Sequence, residues 1–267
     1  MQGLSKQRAL RNLRARIAGI EKRPPLADAA NDSRKIAPAG FVLPAGILHE
    51  MFGDGPRNAG ALLGFALAGA SAMLAADRPA ILYLQLTSET QETGFPYGSG
   101  LAAFGIDPQA IVLIRTTTII ELLWAAEEGL ACRAVAAVIA DVGSDPKALD
   151  FTASRRLGMR AAETKTTFLL LRYGLGRTAS AARLRWHIAP ALSGEVPFDP
   201  RAPGETRWHI TLEKGLWQGK PNGEWLLSWT RNGFDILASP DTNLAPAATP
   251  VPRTLPPALG HRLSQTA

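Results

Sequence analysis

The strongest constraint on this chain is an alternation. Between about residues 41 and 190, short and almost wholly apolar runs recur, and a helical pattern separates most of them. The runs 47–53 (ILHEMFG), 80–87 (AILYLQLT), 111–115 (IVLIR), 135–141 (VAAVIAD) and 167–172 (TFLLLR) have the length and composition of strands. Among them lie an alanine-rich stretch reaching Ala76, the segment 119–131 with Trp124 expected on its apolar side, and the segment 147–162. A sheet with one wet face would alternate polar and apolar residues. These runs stay apolar on both faces, so both faces of their sheet must be covered. The expectation is an α/β fold: a mostly parallel sheet with helices on both faces.

After Pro190 the character changes. Residues 208–212 (WHITL) and 224–229 (EWLLSW) read as antiparallel strands of a small C-terminal β segment, with 219–223 (GKPNG) as their turn. The tetrapeptide RWHI occurs at 185–188 and again at 207–210, and is read as two strands of similar character. Six prolines in the last 30 residues predict a disordered tail from 238 onward. The expected divisions are therefore 1–40, 41–190, 191–237 and 238–267. Residues 59–76 run 18 positions without a charge, but alanine and glycine dominate them. They suit a buried crossover helix better than a membrane span. The single cysteine, Cys132, excludes a disulfide framework and fits a reducing, cytoplasmic setting.

The net charge of +6 is a local property. Residues 1–23 hold seven basic side chains and one acid, Glu21, which accounts for the whole excess. Within them, 5–20 predicts a basic amphipathic helix. Leu10, Leu13, Ile17 and Ile20 form a narrow apolar stripe, arginines including Arg8, Arg11 and Arg14 flank it, and Pro24-Pro25 stop it. Such an arm suits a protein partner or nucleic-acid phosphates.

The segment 43–53 (LPAGILHEMFG) is similar to the opening strand of the RecA recombinase core, and 6–10 with 20–22 resemble the RecA N-terminal helix. The segments 94–116 (GFPYGSGLAAFGIDPQAIVLIRT), 122–142 (LLWAAEEGLACRAVAAVIADV), 149–164 (LDFTASRRLGMRAAET) and 207–229 (RWHITLEKGLWQGKPNGEWLLSW) resemble the ImuA family of SOS-mutagenesis proteins. The resemblance implies a RecA-like fold and a role in damage-induced, error-prone DNA synthesis. Its implied partners are RecA, an ImuB-like polymerase adaptor and, through the adaptor, an error-prone C-family DNA polymerase.

A RecA-like core should carry a phosphate loop after its first strand, G-x-x-x-x-G-K-[ST]. There, backbone amides cradle the phosphates, a lysine neutralises them and a hydroxyl holds magnesium. From Gly53 this chain reads G-D-G-P-R-N-A-G. Asn58 stands at the second glycine, Ala59 at the lysine and Gly60 at the Ser/Thr. Asp54 adds a negative charge, and Pro56 removes an amide donor. Arg57 lies two positions before the lysine site and would not share its approach. Asp141 occupies the place of the magnesium-associated aspartate, although strand ends often carry a carboxylate for local reasons. The glutamate expected after the second strand has no clear counterpart, with Gln85, Thr87 and Glu89 all nearby. The expectation is a degenerate nucleotide site at Gly53, Asn58, Ala59, Gly60 and Asp141, with no catalysis and no cofactor.

Candidate contact residues lie elsewhere. Arg155, Arg156 and Arg160 share one predicted helix, and Arg172, Arg177, Arg183 and Arg185 follow where RecA-like folds bind DNA, so a weak single-strand site is one reading and a solvated face the other. Arg172-Tyr173 end the strand at 167–172 where RecA places its polar switch, and 174–182 is much shorter than the recombinase DNA loop. Of the tryptophans crowded between 186 and 229, most suit the core of a small sheet. Trp217, in a more polar loop, is the candidate for partner or base stacking. The histidines lack metal spacing. The resulting expectation is a RecA-like accessory factor. The alternatives are a recombination ATPase with residual nucleotide binding and a SulA-type inhibitor of cell division.

Overall fold

The computed structural model describes residues 40–238, apart from 144, 175, 195, 197, 198 and 200. The basic helix expected at 5–20, with Arg8, Leu10, Arg11, Leu13, Arg14 and Ile17, and the tail beyond 238 lie outside the described residues.

The elements follow in the order β1 (Leu48–Gly53), α1 (Ala59–Ser71), β2 (Ala80–Leu86), α2 (Thr90–Thr93), α3 (Gly98–Ala103), β3 (Ile111–Thr116), α4 (Ile119–Ala131), β4 (Val135–Val142), α5 (Phe151–Thr164), β5 (Thr167–Tyr173), β6 (Leu184–Ala191), β7 (Arg207–Trp217), β8 (Lys220–Thr230) and β9 (Gly233–Ala238). All nine strands join one sheet, ordered β3-β2-β4-β5-β1-β6-β7-β8-β9. Every pairing from β3 to β6 is parallel, and those from β6 to β9 are antiparallel. The α/β class and the mostly parallel sheet are as expected, and the C-terminal strands extend that same sheet. The repeated RWHI segments lie on neighbouring strands, with Ile188 opposite Ile210.

Strand alternation sorts the core into two layers. Met51, Ile81, Ile139 and Leu169 pack with Leu62 and Phe65 of α1 and with Trp186, Trp208 and Trp225. Leu48, Leu84, Val138 and Leu170 pack with Leu122 and Leu130 of α4 and Leu157 of α5. Helices therefore cover both faces, which is what two-sided apolar strands demand. Helix α4 rests on the sheet at Gly129, where a Cβ would come within 2.3 Å of Leu82 Cδ2.

Local chemistry sets several boundaries. Thr118 and Glu121 form a reciprocal capping box at the start of α4. The helix expected from 147 begins only at Phe151, because the Asp150 side chain accepts from the Ala153 amide and fixes the first turn there. Three other expectations need correction. Trp124 is 65% exposed, because α4 turns Leu122, Leu123, Ala125 and Ala126 inward and leaves 124 outside. The C-terminal turn falls at Gln218 and Gly219, with φ of 49° and 79°, a pair of left-handed residues that matches hairpin twist; Lys220–Gly223 belong to β8. Trp217 ends β7 in the core rather than in a polar loop. It stacks on Phe41, and its indole N–H donates to the Val42 carbonyl at 3.1 Å.

Candidate functional site

The turn between β1 and α1 lies at the C-terminal ends of the parallel strands, where open α/β sheets hold ligands. Gly53 ends β1 and its carbonyl accepts from the Gly174 amide. The Asp54 carboxylate meets His187 Nε2 at 2.6 Å. Pro56–Asn58 then form a single 3-10 turn that runs straight into α1. A phosphate cradle needs several free amides aimed at one point. Here Pro56 has none, the Asn58 amide donates to Gly55 O at 3.0 Å, and the Ala59 amide donates to Pro56 O. Gly60 follows inside the helix, with open space where a side chain would stand. The Asn58 and Ala59 amides are thus spent within the turn, and neither a lysine at 59 nor a hydroxyl at 60 is present.

Asp141 is similarly engaged. It is 3% exposed, its Oδ2 accepts from the Tyr83 hydroxyl at 2.5 Å, and its Oδ1 accepts from the Tyr173 hydroxyl at 2.7 Å. A magnesium-binding carboxylate needs an oxygen open to the ion and its waters. Each oxygen here already accepts from a phenol, so Asp141 is held within the fold. Burial pushes the Asp141 carboxyl above the ordinary aspartate range, against the pull of the two phenol hydrogen bonds. Burial and the neighbouring Asp141 charge push both tyrosines upward, so they remain hydrogen donors. A carboxyl raised by folding favours the native state less as pH climbs through its native value. Replacing Asp141 with asparagine is therefore expected to leave stability at neutral pH unchanged or slightly higher, and to flatten this part of the pH dependence. Urea melts across the pH range would read it, and a large loss would contradict the arrangement.

The neighbouring polar residues are likewise tied to the fold. Glu89 Oε2 accepts from the Gly143 amide at 2.8 Å. Gln85 donates to Thr93 Oγ1 and to the Gly94 carbonyl, and Thr87 Oγ1 donates to the Thr116 carbonyl.

A second polar centre lies on the opposite sheet face. Glu50, fully buried in the middle of β1, accepts from Arg172 Nη1 at 3.1 Å, from Arg185 Nε at 3.0 Å and Nη2 at 2.9 Å, and from Ser180 Oγ. Arg172 also pairs with Asp145 and donates to Thr178 Oγ1. Arg177 pairs with Glu213 and lies 4.1 Å from the Phe52 ring centre; Arg172 and Arg185 also face that ring. The cluster fixes the 174–183 connection between β5 and β6. Arg172, expected as a contact residue, is 3% exposed and committed to this network. Arg156 pairs with Glu127, whereas Arg155 stands exposed on α5.

The structure thus brings together Gly53, Asn58, Ala59 and Gly60 in one turn and buries Asp141 among tyrosines. It holds Arg172 and Arg177 in one ionic cluster, distinct from Arg155, Arg156 and Trp217. Sequence reasoning missed Tyr83 and Glu50, and placed Tyr173 at a strand end without its pairing to Asp141. The signal for Glu50 was available: a carboxylate centred in an apolar run needs a buried cation.

No family model matches the chain. Curated proteins similar to it include Protein ImuA of Caulobacter vibrioides strain NA1000 / CB15N and Protein ImuA of strain ATCC 19089 / CIP 103742 / CB 15. Each is 35% identical over 143 residues, covering 49% of this chain and 55% of the relative. The match spans about half the length of these relatives. Over those 143 residues the chain is similar to these ImuA proteins.

Proposed function

We propose that this chain is a non-catalytic accessory factor in damage-induced, error-prone DNA synthesis, an ImuA-type protein that uses a RecA-like core as a binding scaffold. One observation supports the non-catalytic part: the Asn58 and Ala59 amides after β1 bond within their own turn, and both Asp141 oxygens accept from tyrosines. Phosphoryl transfer depends almost entirely on positioned charge, so a site that withholds it has little left to catalyse with. The sheet order supports a RecA-like core, since β5 alone separates β1, which precedes the loop, from β4, which carries Asp141. The partners in this reading are RecA and an ImuB-like polymerase adaptor. An error-prone C-family DNA polymerase is engaged through the adaptor, and single-stranded DNA is a further ligand for the exposed arginines. Among the described residues, no helix is long and apolar enough to cross a membrane.

The test pairs a cellular readout with a binding one. In a host lacking its own copy of the gene, the wild-type chain and an Asp141→Asn variant should restore damage-induced mutation frequency equally, and both should co-purify with RecA and the adaptor. ATP–magnesium should leave the melting temperature unmoved. A failure of Asp141→Asn at equal protein level, joined to nucleotide stabilisation of about 2.7 kcal/mol at a hundredfold excess over Kd, would establish a working ATPase and remove this reading.

A further inference from the structure

An open, largely apolar surface lies at the β3 end of the sheet. Among the described residues, strand β3 pairs only with β2, which leaves its other edge without a strand. Beside it, β3 and α4 enclose a groove of about 710 Å³ whose walls include Leu82, Val112, Ile114, Trp124 and Ala125. A second hollow of about 470 Å³ separates α4 from α5 and shares Trp124 as its wall. Trp124 is 65% exposed, Ile120 one turn earlier is 69% exposed, and Val112 is 47% exposed. Large side chains concentrated in this way mark a surface that something covers.

The charges beside the groove identify its occupant. Helix α4 carries Glu121, Glu127 and Glu128 and no lysine or arginine. Glu121 and Glu128 line the larger groove, and its one cation, Arg115, lies over the Phe95 ring. An apolar floor with an acidic border suits an amphipathic helix with an apolar stripe and basic flanks. Residues 5–20 have that pattern, with Leu10, Leu13, Ile17 and Ile20 between Arg8, Arg11, Arg14 and Arg16, and the chain's excess positive charge lies in the same arm.

The connection is long enough. Phe41 pairs with β9, eight strand spacings from β3, or about 38 Å across the sheet, and packs in the α1 layer, so the connection must also round the sheet to reach α4. Residues 21–39 can span about 60 Å when extended, and Pro24, Pro25 and Pro38 favour extended backbone. We infer that residues 5–20 of this chain dock into its own β3–α4 groove and cover Trp124.

Acrylamide quenching of tryptophan fluorescence on the full-length protein tests this. Trp186, Trp208, Trp217 and Trp225 are buried and Trp229 is half-buried, so Trp124 dominates the accessible signal, and Trp124→Phe assigns it. With the arm docked, Trp124 should be protected in the wild type. A Leu13→Glu/Ile17→Glu double variant should raise its quenching constant roughly threefold, as a covered indole becomes an exposed one. Glu128→Lys on the groove side, or high salt, should act in the same direction. Protection should survive dilution, because the contact is within one chain. Equal quenching in wild type and all variants would overturn the inference. So would protection that vanishes on dilution, which would make a second copy the occupant.

Discussion

Replacing Glu50 with alanine is expected to cost about 3–5 kcal/mol of folding stability, the largest loss from any single substitution in the polar interior. The carboxylate is fully buried and receives hydrogen bonds from Arg172, Arg185 and Ser180. Removing it strands two guanidinium groups in a low-dielectric layer, and that uncompensated charge dominates the cost. Arg172 retains Asp145, whose side chain is largely exposed, so the loss is only partly repaired from outside. A neutral glutamine should be milder than alanine, since its amide oxygen still accepts hydrogen bonds, although not as an ion. Equilibrium urea unfolding of the wild type, Glu50→Ala, Glu50→Gln and the double variant Glu50→Leu/Arg172→Met would measure this. The double variant should recover part of what Glu50→Ala loses, because neither charge of that pair remains buried alone. A Glu50→Ala protein as stable as the wild type would show that the arginines find other partners.

The second large effect is a loss of stability in acid. His49 is fully buried; its Nε2–H donates to the Pro44 carbonyl at 2.7 Å, and its Nδ1 accepts from the Trp186 indole N–H at 3.2 Å. Both ring nitrogens are satisfied only in the neutral form. Burial lowers its pKa to about 4 from an ordinary 6.5, against the pull of the Pro44 hydrogen bond. The unfolded chain therefore binds a proton that the native state refuses between those values. The contribution is intact above pH 6.5 and drains away as pH falls towards 4, amounting to about 3 kcal/mol in total. Asp141 acts in the opposite sense, because its carboxyl is raised by folding. The clean reading is thus the difference between wild type and His49→Gln, which keeps a donor for Pro44 and an acceptor for Trp186 without the titration. That variant should lack the acid limb. If both proteins lose stability in parallel between pH 6.5 and 4, His49 is not its source.

Much of the α/β core was legible because its strands are buried on both faces, and continuous apolar runs announce that directly. The start of α4 also carries a local signal that the reading of 119–131 did not use: Thr118 and Glu121 stand three apart around its first residues. The departure of residues 53–60 from the phosphate-loop pattern is a property of the sequence itself, because that pattern is contiguous. What sequence did not disclose is pairing at a distance. Glu50 meets Arg172 and Arg185 across 122 and 135 positions, and Asp141 meets Tyr83 and Tyr173 across 58 and 32. No local period encodes such meetings. Trp124 was misjudged for a related reason. Its helix is apolar on more than one side, so composition alone does not say which side meets the sheet.

The two phenols that clasp Asp141 have a mechanical consequence. They rivet the middle of β2 and the C-terminal ends of β4 and β5 to one another. A sheet braced there presents the same contour to each molecule it meets. In the scaffold role proposed above, association and release at this end would be governed by how well surfaces match and how many copies are made.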